Sequence, residues 1–255
     1  VIYNHSTYTM KKLGIIPFLS TLVCFVFFAG CAKLVALIPN TYTGNGAVAT
    51  EVRQAGPFQS VELDGTYEVT LTQGLTTEVR IETDTNLLSH ITTTVKDGKL
   101  TIQSDGNLQP TKGIVVSITS PNYTSVESDG SSDIHGATPI VSDDLKLALD
   151  GSGSYDLGVN VKHLKSEIAG SGKMALHGIS GDHSMEIDGS GNIDADSLTS
   201  QTAKIEISGS GEASLNVNTR LVASISGSGG VKYRGPVQDV HSSISGSGSV
   251  DRTAN

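Results

Sequence analysis

Four groups of residues have types and spacings that could do chemistry. Glu167, Glu186 and Glu206 recur every 19 or 20 residues, and Lys146, Lys165 and Lys204 recur beside them. Acids next to Lys are what polysaccharide lyases and hydrolases use, provided that a groove brings them to a sugar chain. Asp64, Asp129, Asp150 and Asp188 each precede a Gly, and a column of such carboxylates could bind Ca²⁺. Asp182-His183-Ser184 supplies the residue types of a hydrolytic triad. Cys31 closes an apolar segment that follows Lys11 and Lys12, the layout of an export signal. Which of these groups can converge depends on the elements that carry them.

Those elements are organised by one phrase that occurs six times. Gly151-Ser152-Gly153, Gly170-Ser171-Gly172, Gly189-Ser190-Gly191, Gly209-Ser210-Gly211, Gly227-Ser228-Gly229 and Gly246-Ser247-Gly248 follow at steps of 19, 19, 20, 18 and 19 residues. A period that short marks a solenoid. Apolar residues hold even offsets from the first Gly: Leu149, Ile168, Ile187, Ile207, Ile225 and Ile244 stand two before it. Leu145, Leu164, His183, Ala203, Leu221 and Val240 stand six before, and Tyr155, Met174, Ile193, Ala213, Val231 and Val250 four after. Residues two apart on a strand share a face, so these columns point inward and the polar odd positions outward.

The expected fold is all-β, a right-handed parallel β-helix: a solenoid of about ten coils of ~19–20 residues, stacked about 4.8 Å apart. Val61, Leu63, Gly65, Tyr67, Val69 and Leu71 form a degenerate first copy of the repeat. Asp97-Gly98 reads as a type I′ hairpin turn or a coil corner, and Asp129-Gly130-Ser131-Ser132 is a near-copy of the phrase. The Ser of each phrase is expected to stack into an outward ladder of hydroxyls. Aromatics are only 5% of the chain and Trp is absent, which suits a thin aliphatic core shared between coils.

That frame disperses most of the candidate chemistry. Neighbours on a strand face opposite ways, so Asp182, His183 and Ser184 cannot converge, and His183 is expected to be packed inside. The Glu and Lys columns face outward and offset one another as a solvated face. Asp150 and Asp188 are separated by the coil carrying Ala169, about 9.6 Å, too far to share one ion easily. The familiar nucleophile-elbow, zincin and phosphate-loop motifs are missing. No catalytic residue, metal ligand or cofactor is therefore expected. The net charge of −9 disfavours nucleic acid as a partner.

The start of the chain gives an address. Residues 1–9 read as an over-extended start or a short extension before Met10. Residues 10–30 read as a signal peptide, with a basic start, an apolar stretch and small residues at the end. Phe28-Ala29-Gly30-Cys31 resembles the lipobox of bacterial lipoproteins, with Phe28 where Leu is usual. This implies lipidation at Cys31 and anchoring in the membrane; an ordinary signal with an incidental Cys is the competing reading. Ala32 after the Cys resembles sorting to the outer membrane, with periplasmic or surface face left open. Residues 31–56 are expected to be a lipidated tether and residues 57–255 the β-helical domain.

The residues from Phe58 also carry a family resemblance. Phe58-x-x-Val61-x-Leu63-x-Gly65-x-Tyr67-x-Val69-x-Leu71-x-Gln73-Gly74 opens it. Val79-x-Ile81-x-Thr83-Asp84-x-Asn86-Leu87-Leu88 and Val95-x-Asp97-Gly98-x-Leu100-x-Ile102 follow. Together with the Gly-Ser-Gly coils this resembles the GIN domain, an adhesin head domain common in Bacteroidetes lipoproteins. The resemblance implies a β-helical fold on an exported protein and brings no catalytic residues. The expected function is non-enzymatic: interaction at the cell surface or envelope with a glycan or protein partner. A carbohydrate-active β-helix enzyme and an envelope scaffold that assembles end to end as a homo-oligomer are the competing readings.

Overall fold

The computed structural model describes residues 40–254. Short strands β1 (Thr41–Thr43) and β2 (Val48–Arg53) precede a first coil made of β3 (Ser60–Gly65) and β4 (Glu68–Gln73). An excursion follows: β5 (Glu78–Asp84), a 3₁₀ turn (Leu88–His90), β6 (Ile91–Lys96), β7 (Lys99–Ser104), β8 (Asn107–Gln109) and β9 (Val115–Ser120). The second coil holds β10 (Ser125–Gly130) and β11 (Asp133–Gly136). Long bent strands then carry the regular repeats: β12 (Ile140–Gly151), β13 (Ser154–Gly170), β14 (Lys173–Gly189), β15 (Asn192–Gly209) and β16 (Glu212–Gly227). The last are β17 (Gly230–Arg234), β18 (Asp239–Gly246) and β19 (Ser249–Arg252).

Stacking is parallel, and in register from coil to coil except at bulges between Ala175 and Gly178 and between Ala195 and Thr202. Before the corner, β3, β10, β12, β13, β14, β15, β16 and β18 pair in that order. After it, β4, β11, β13, β14, β15, β16, β17 and β19 do the same. The result is a β-solenoid of about seven turns, fewer than the ten expected from length. The difference lies in residues 74–124. Asp97 and Gly98 both have positive φ, 51° and 76°, the type I′ geometry that folds β6 back antiparallel on β7 instead of carrying it onward. β7 and β9 then pair with the far sides of β3 and β4. The first coil in the sequence is thus sandwiched, with β10 and β11 on its other side.

In each corner the first Gly is required by a positive φ as well as by space, and the second by space alone. Gly189 has φ 118°, and a Cβ there would lie 2.5 Å from the carbonyl oxygen of Gly170 in the preceding coil. Gly211, the second of its phrase, would instead put a Cβ 2.5 Å from the Ile187 side chain below it. The intervening Ser contributes through its backbone: the Ser190 amide donates to Gly170 at 2.8 Å, and the other coils repeat this. Among the described residues no hydroxyl-to-hydroxyl bond joins the Ser column, so the expected ladder is made by amides. An exposed Ser hydroxyl gains little by exchanging water for its neighbour.

The predicted inward columns form one continuous core, with Leu149, Ile168, Ile187, Ile207 and Ile225 all buried. At the N-terminal end β2 lies antiparallel on β5, and β1 pairs with β8. Residues 40–56, expected to belong to a tether, are therefore largely built into the fold, because β5 would otherwise present an open edge. The expected extended start (1–9), signal peptide (10–30), lipidation site Cys31 and the first part of the expected tether lie outside the described residues.

Candidate functional site

A cleft of about 420 Å³ opens beside the first corner, between Glu68 on β4, Asp133 on β11 and the segment from Ser104 to Ile114. Glu68 and Asp133 are each three residues after the first Gly of a phrase, Gly65 and Gly130, and they pair across the β4–β11 ladder. Asp133 accepts a hydrogen bond from the Ser154 hydroxyl at 2.5 Å. The Tyr67 hydroxyl donates to the Asp64 carbonyl at 3.0 Å and lies 2.7 Å from the Ser104 hydroxyl. Burial pushes the Tyr67 phenol up to about 12, so it stays a neutral hydrogen-bonding group.

The outer wall of the cleft is held in place by one carboxylate. Asp84, fully buried, accepts from the amides of Gly46 at 2.6 Å and Thr111 at 2.8 Å, and from the Thr111 hydroxyl at 3.0 Å. The bond from the Thr111 amide outweighs the opposing effect of burial and, with that from Gly46, holds the Asp84 carboxyl below the usual range. Sequence reading passed over Glu68 and Asp133 and met Asp84 only inside the family pattern, with no role given to it. The offset of three from the Gly was available as a signal for Glu68 and Asp133, whereas nothing local marks Asp84.

The outward face of the β3–β18 ladder carries the Lys and Glu columns, and they compensate as expected. Lys146 lies 3.3 Å from Glu127 and 3.2 Å from Glu167, bridging three coils. Lys165 pairs with Glu167, Lys204 with Glu206 at 2.6 Å and Lys99 with Glu62 at 2.8 Å. Partial burial raises Glu167, but hydrogen bonds from Lys165 and Lys146 outweigh this and hold its carboxyl below the ordinary value. This is a knit ionic surface without walls.

The Asp column is denser than the sequence suggested. Asp64, Asp129 and Asp150 occupy three adjacent strands in register, so neighbours stand about 4.8 Å apart. Asp188 is isolated from them by Ala169. Among the described residues no group of three His, Cys, Asp or Glu is arranged to hold a metal ion.

Asp182, His183 and Ser184 diverge. Asp182 faces outward, 3.1 Å from His163 Nδ1, and accepts from the Thr202 hydroxyl at 2.8 Å. His183 is buried in the core with Nε2 2.9 Å from the Ser166 hydroxyl, and burial pushes its imidazole down to about 3. No substrate can reach this pair.

Known proteins share this architecture. A crystal structure described as a "putative adhesin" from Bacteroides fragilis NCTC 9343 superposes with a TM-score of 0.80 at 22% identity, covering 83% of this chain and 100% of its own. A "putative lipid binding protein" from Parabacteroides distasonis ATCC 8503 gives 0.71 at 22% identity, over 84% and 100%. A "putative adhesin" from Parabacteroides merdae ATCC 43184 gives 0.64 at 22%, over 84% and 100%. Likeness at that identity carries the fold alone. No curated protein matches the chain. Residues 57–237 match the family described as "Putative auto-transporter adhesin, head GIN domain", and the chain belongs to that family.

Proposed function

We propose that this protein is a non-enzymatic binding module of the bacterial envelope, exported, lipid-anchored at Cys31 and held at the outer membrane, where it contacts a glycan or protein partner. The observation that supports this reading most is the placement of its acids. Catalytic carboxylate pairs flank the bond they break from opposite sides, whereas Glu68 and Asp133 rise from neighbouring strands of one wall. The remaining acids of the charged face are largely taken up by Lys partners on an open surface. A rigid stack with exposed, repetitive polar columns suits contact with an extended partner, and the cleft beside Glu68 offers hydrogen-bond acceptors to hydroxyl or ammonium groups.

The test is an array of glycans and matrix proteins probed with the purified full chain, with and without Ca²⁺, followed by product analysis on any glycan retained. Retention without turnover, weakened by Glu68→Gln with Asp133→Asn, is the expected result. Turnover of a retained glycan would replace this reading with the carbohydrate-active one. Labelling of the expressed protein with a fatty-acid analogue, lost in Cys31→Ser, tests the anchor.

A further inference from the structure

We propose that two copies of this chain join through the outer edge of β18, antiparallel to each other about a two-fold axis at Ser242. The edge has its hydrogen-bonding groups free. In the stack, the outward-facing residue donates to the coil before it: the Lys146 amide bonds the Thr124 carbonyl at 2.9 Å. Lys146 lies in register, coil by coil, with His241. On β18 the backbone of Asp239, His241 and Ser243 thus turns toward β16. That leaves the N–H and C=O groups of Val240, Ser242 and Ile244 along the other side.

The same edge leaves core side chains open. Ile244 is 42% exposed, whereas Ile225, Ile207 and Ile187 in its column are 3%, 1% and 0% exposed. Val240 belongs to the column of buried Leu221. β18 and β19 form the outermost coil of the described chain, so these apolar groups face along the solenoid axis.

A second copy fits because the strand is complementary to itself. With Ser242 on the axis, Val240 falls opposite Ile244 of the partner and Ile244 opposite its Val240, all on the inward face. On the outer face His241 meets Ser243, and Asp239 meets Ser245. Asp239 stays paired with Arg220, 3.4 Å away, and lies 2.9 Å from the His241 ring, so no like charges oppose. Head-to-tail stacking does not fit. At the far end of the solenoid the outermost strands are β6 and β2, each antiparallel to its one neighbour, and they carry Thr93 and the Glu51–Arg53 ion pair, 3.2 Å, where Val240 and Ile244 would need apolar partners.

Sedimentation of the full chain tests this with two variants that spare the fold. Ile244→Lys puts a charge into the joint. Ser242→Pro removes an N–H that points away from β16 and leaves the ladder within the chain intact. The wild type is expected to sediment as a dimer and both variants as monomers with unchanged far-UV circular dichroism. In Ser243→Cys the two new thiols lie about 8 Å apart across the axis, and a short bis-maleimide should link them. Thr92→Cys, on the closed end, should not link to itself, and the parent chain with Cys24 and Cys31 sets the background. A monomeric wild type, a dimer indifferent to both substitutions, or linkage found only between Ser243→Cys and Thr92→Cys chains would overturn the proposal.

Discussion

The two ends of the solenoid solve the same problem in opposite ways. At the N-terminal end the first coil is covered by a β-structure of its own: β7 and β9 continue the parallel ladders, then β6 and β5 reverse direction and β2 closes over β5. The inward residues become polar toward that end, with Thr93 on β6 and Glu51 and Arg53 on β2. The Arg53 guanidinium donates to the Leu88 carbonyl at 2.7 Å, fixing the lid to the 3₁₀ turn. At the other end the last coil keeps the repeat unchanged, with Val240, Ile244 and Val250 at the same inward offsets as the buried columns. A parallel stack has no intrinsic stop, so an end is closed either by changing strand direction and polarity or by a partner.

This contrast can be broken most sharply at the corners. Gly189→Ala and Gly246→Ala introduce the same strain, since both glycines have φ near 120° and face a carbonyl of the preceding coil. In the middle of the stack the cost should be about 4 kcal/mol or more. At the open end only one coil frays, and the denaturation midpoint of the remainder should hardly move. Equal losses in urea titrations would mean that the last coil is coupled as tightly as the interior.

A gentler comparison uses one column of isoleucines. Ile207→Ala should cost about 3 kcal/mol because the cavity is enclosed, while Ile244→Ala in the monomeric state should cost less than ~1 kcal/mol at a site already open to water. If both cost the same, the open end is covered in solution even without a second copy.

The interior between the ends is sharpened by acid. The His183 imidazole titrates near 6.5 when unfolded and about 3 when folded. Between those values the unfolded chain holds the extra proton. Stability is therefore intact above pH 6.5 and falls as pH is lowered, by at most ~1.4 kcal/mol per pH unit for this group. His183→Leu removes that slope, so the variant should gain about 2 kcal/mol on the wild type at pH 5 relative to pH 7. Parallel melting curves of the two proteins across that range would dispose of the idea. Smallest in reach is Asp84→Ala, which should release amide-exchange protection at Gly46 and Thr111 and leave the coils after Gly130 as protected as before.

Much of this molecule could be read from its residues, and the failures are specific. The inward columns, the corners and the dispersal of Asp182, His183 and Ser184 followed from the parity of a strand, which is a local property of the chain. The coil count failed because Asp97-Gly98 fits either a corner or a hairpin, and only the pairing of β6 with β7 chooses between them. The adjacency of Asp64 to Asp129 and of Glu68 to Asp133 was hidden because the first and second coils are separated in sequence by the whole excursion.

By itself the sequence determined the period, the inward face and the need for Gly at each turn, since sterics and alternation act within a few residues. Tertiary structure alone decided which strands lie side by side. Closing a longer loop costs only slightly more than closing a short one. The order of stacking around β3, the polar lid at one end and the cleft beside Glu68 therefore rest on which edges can bury one another, and distance along the chain carries little of that information.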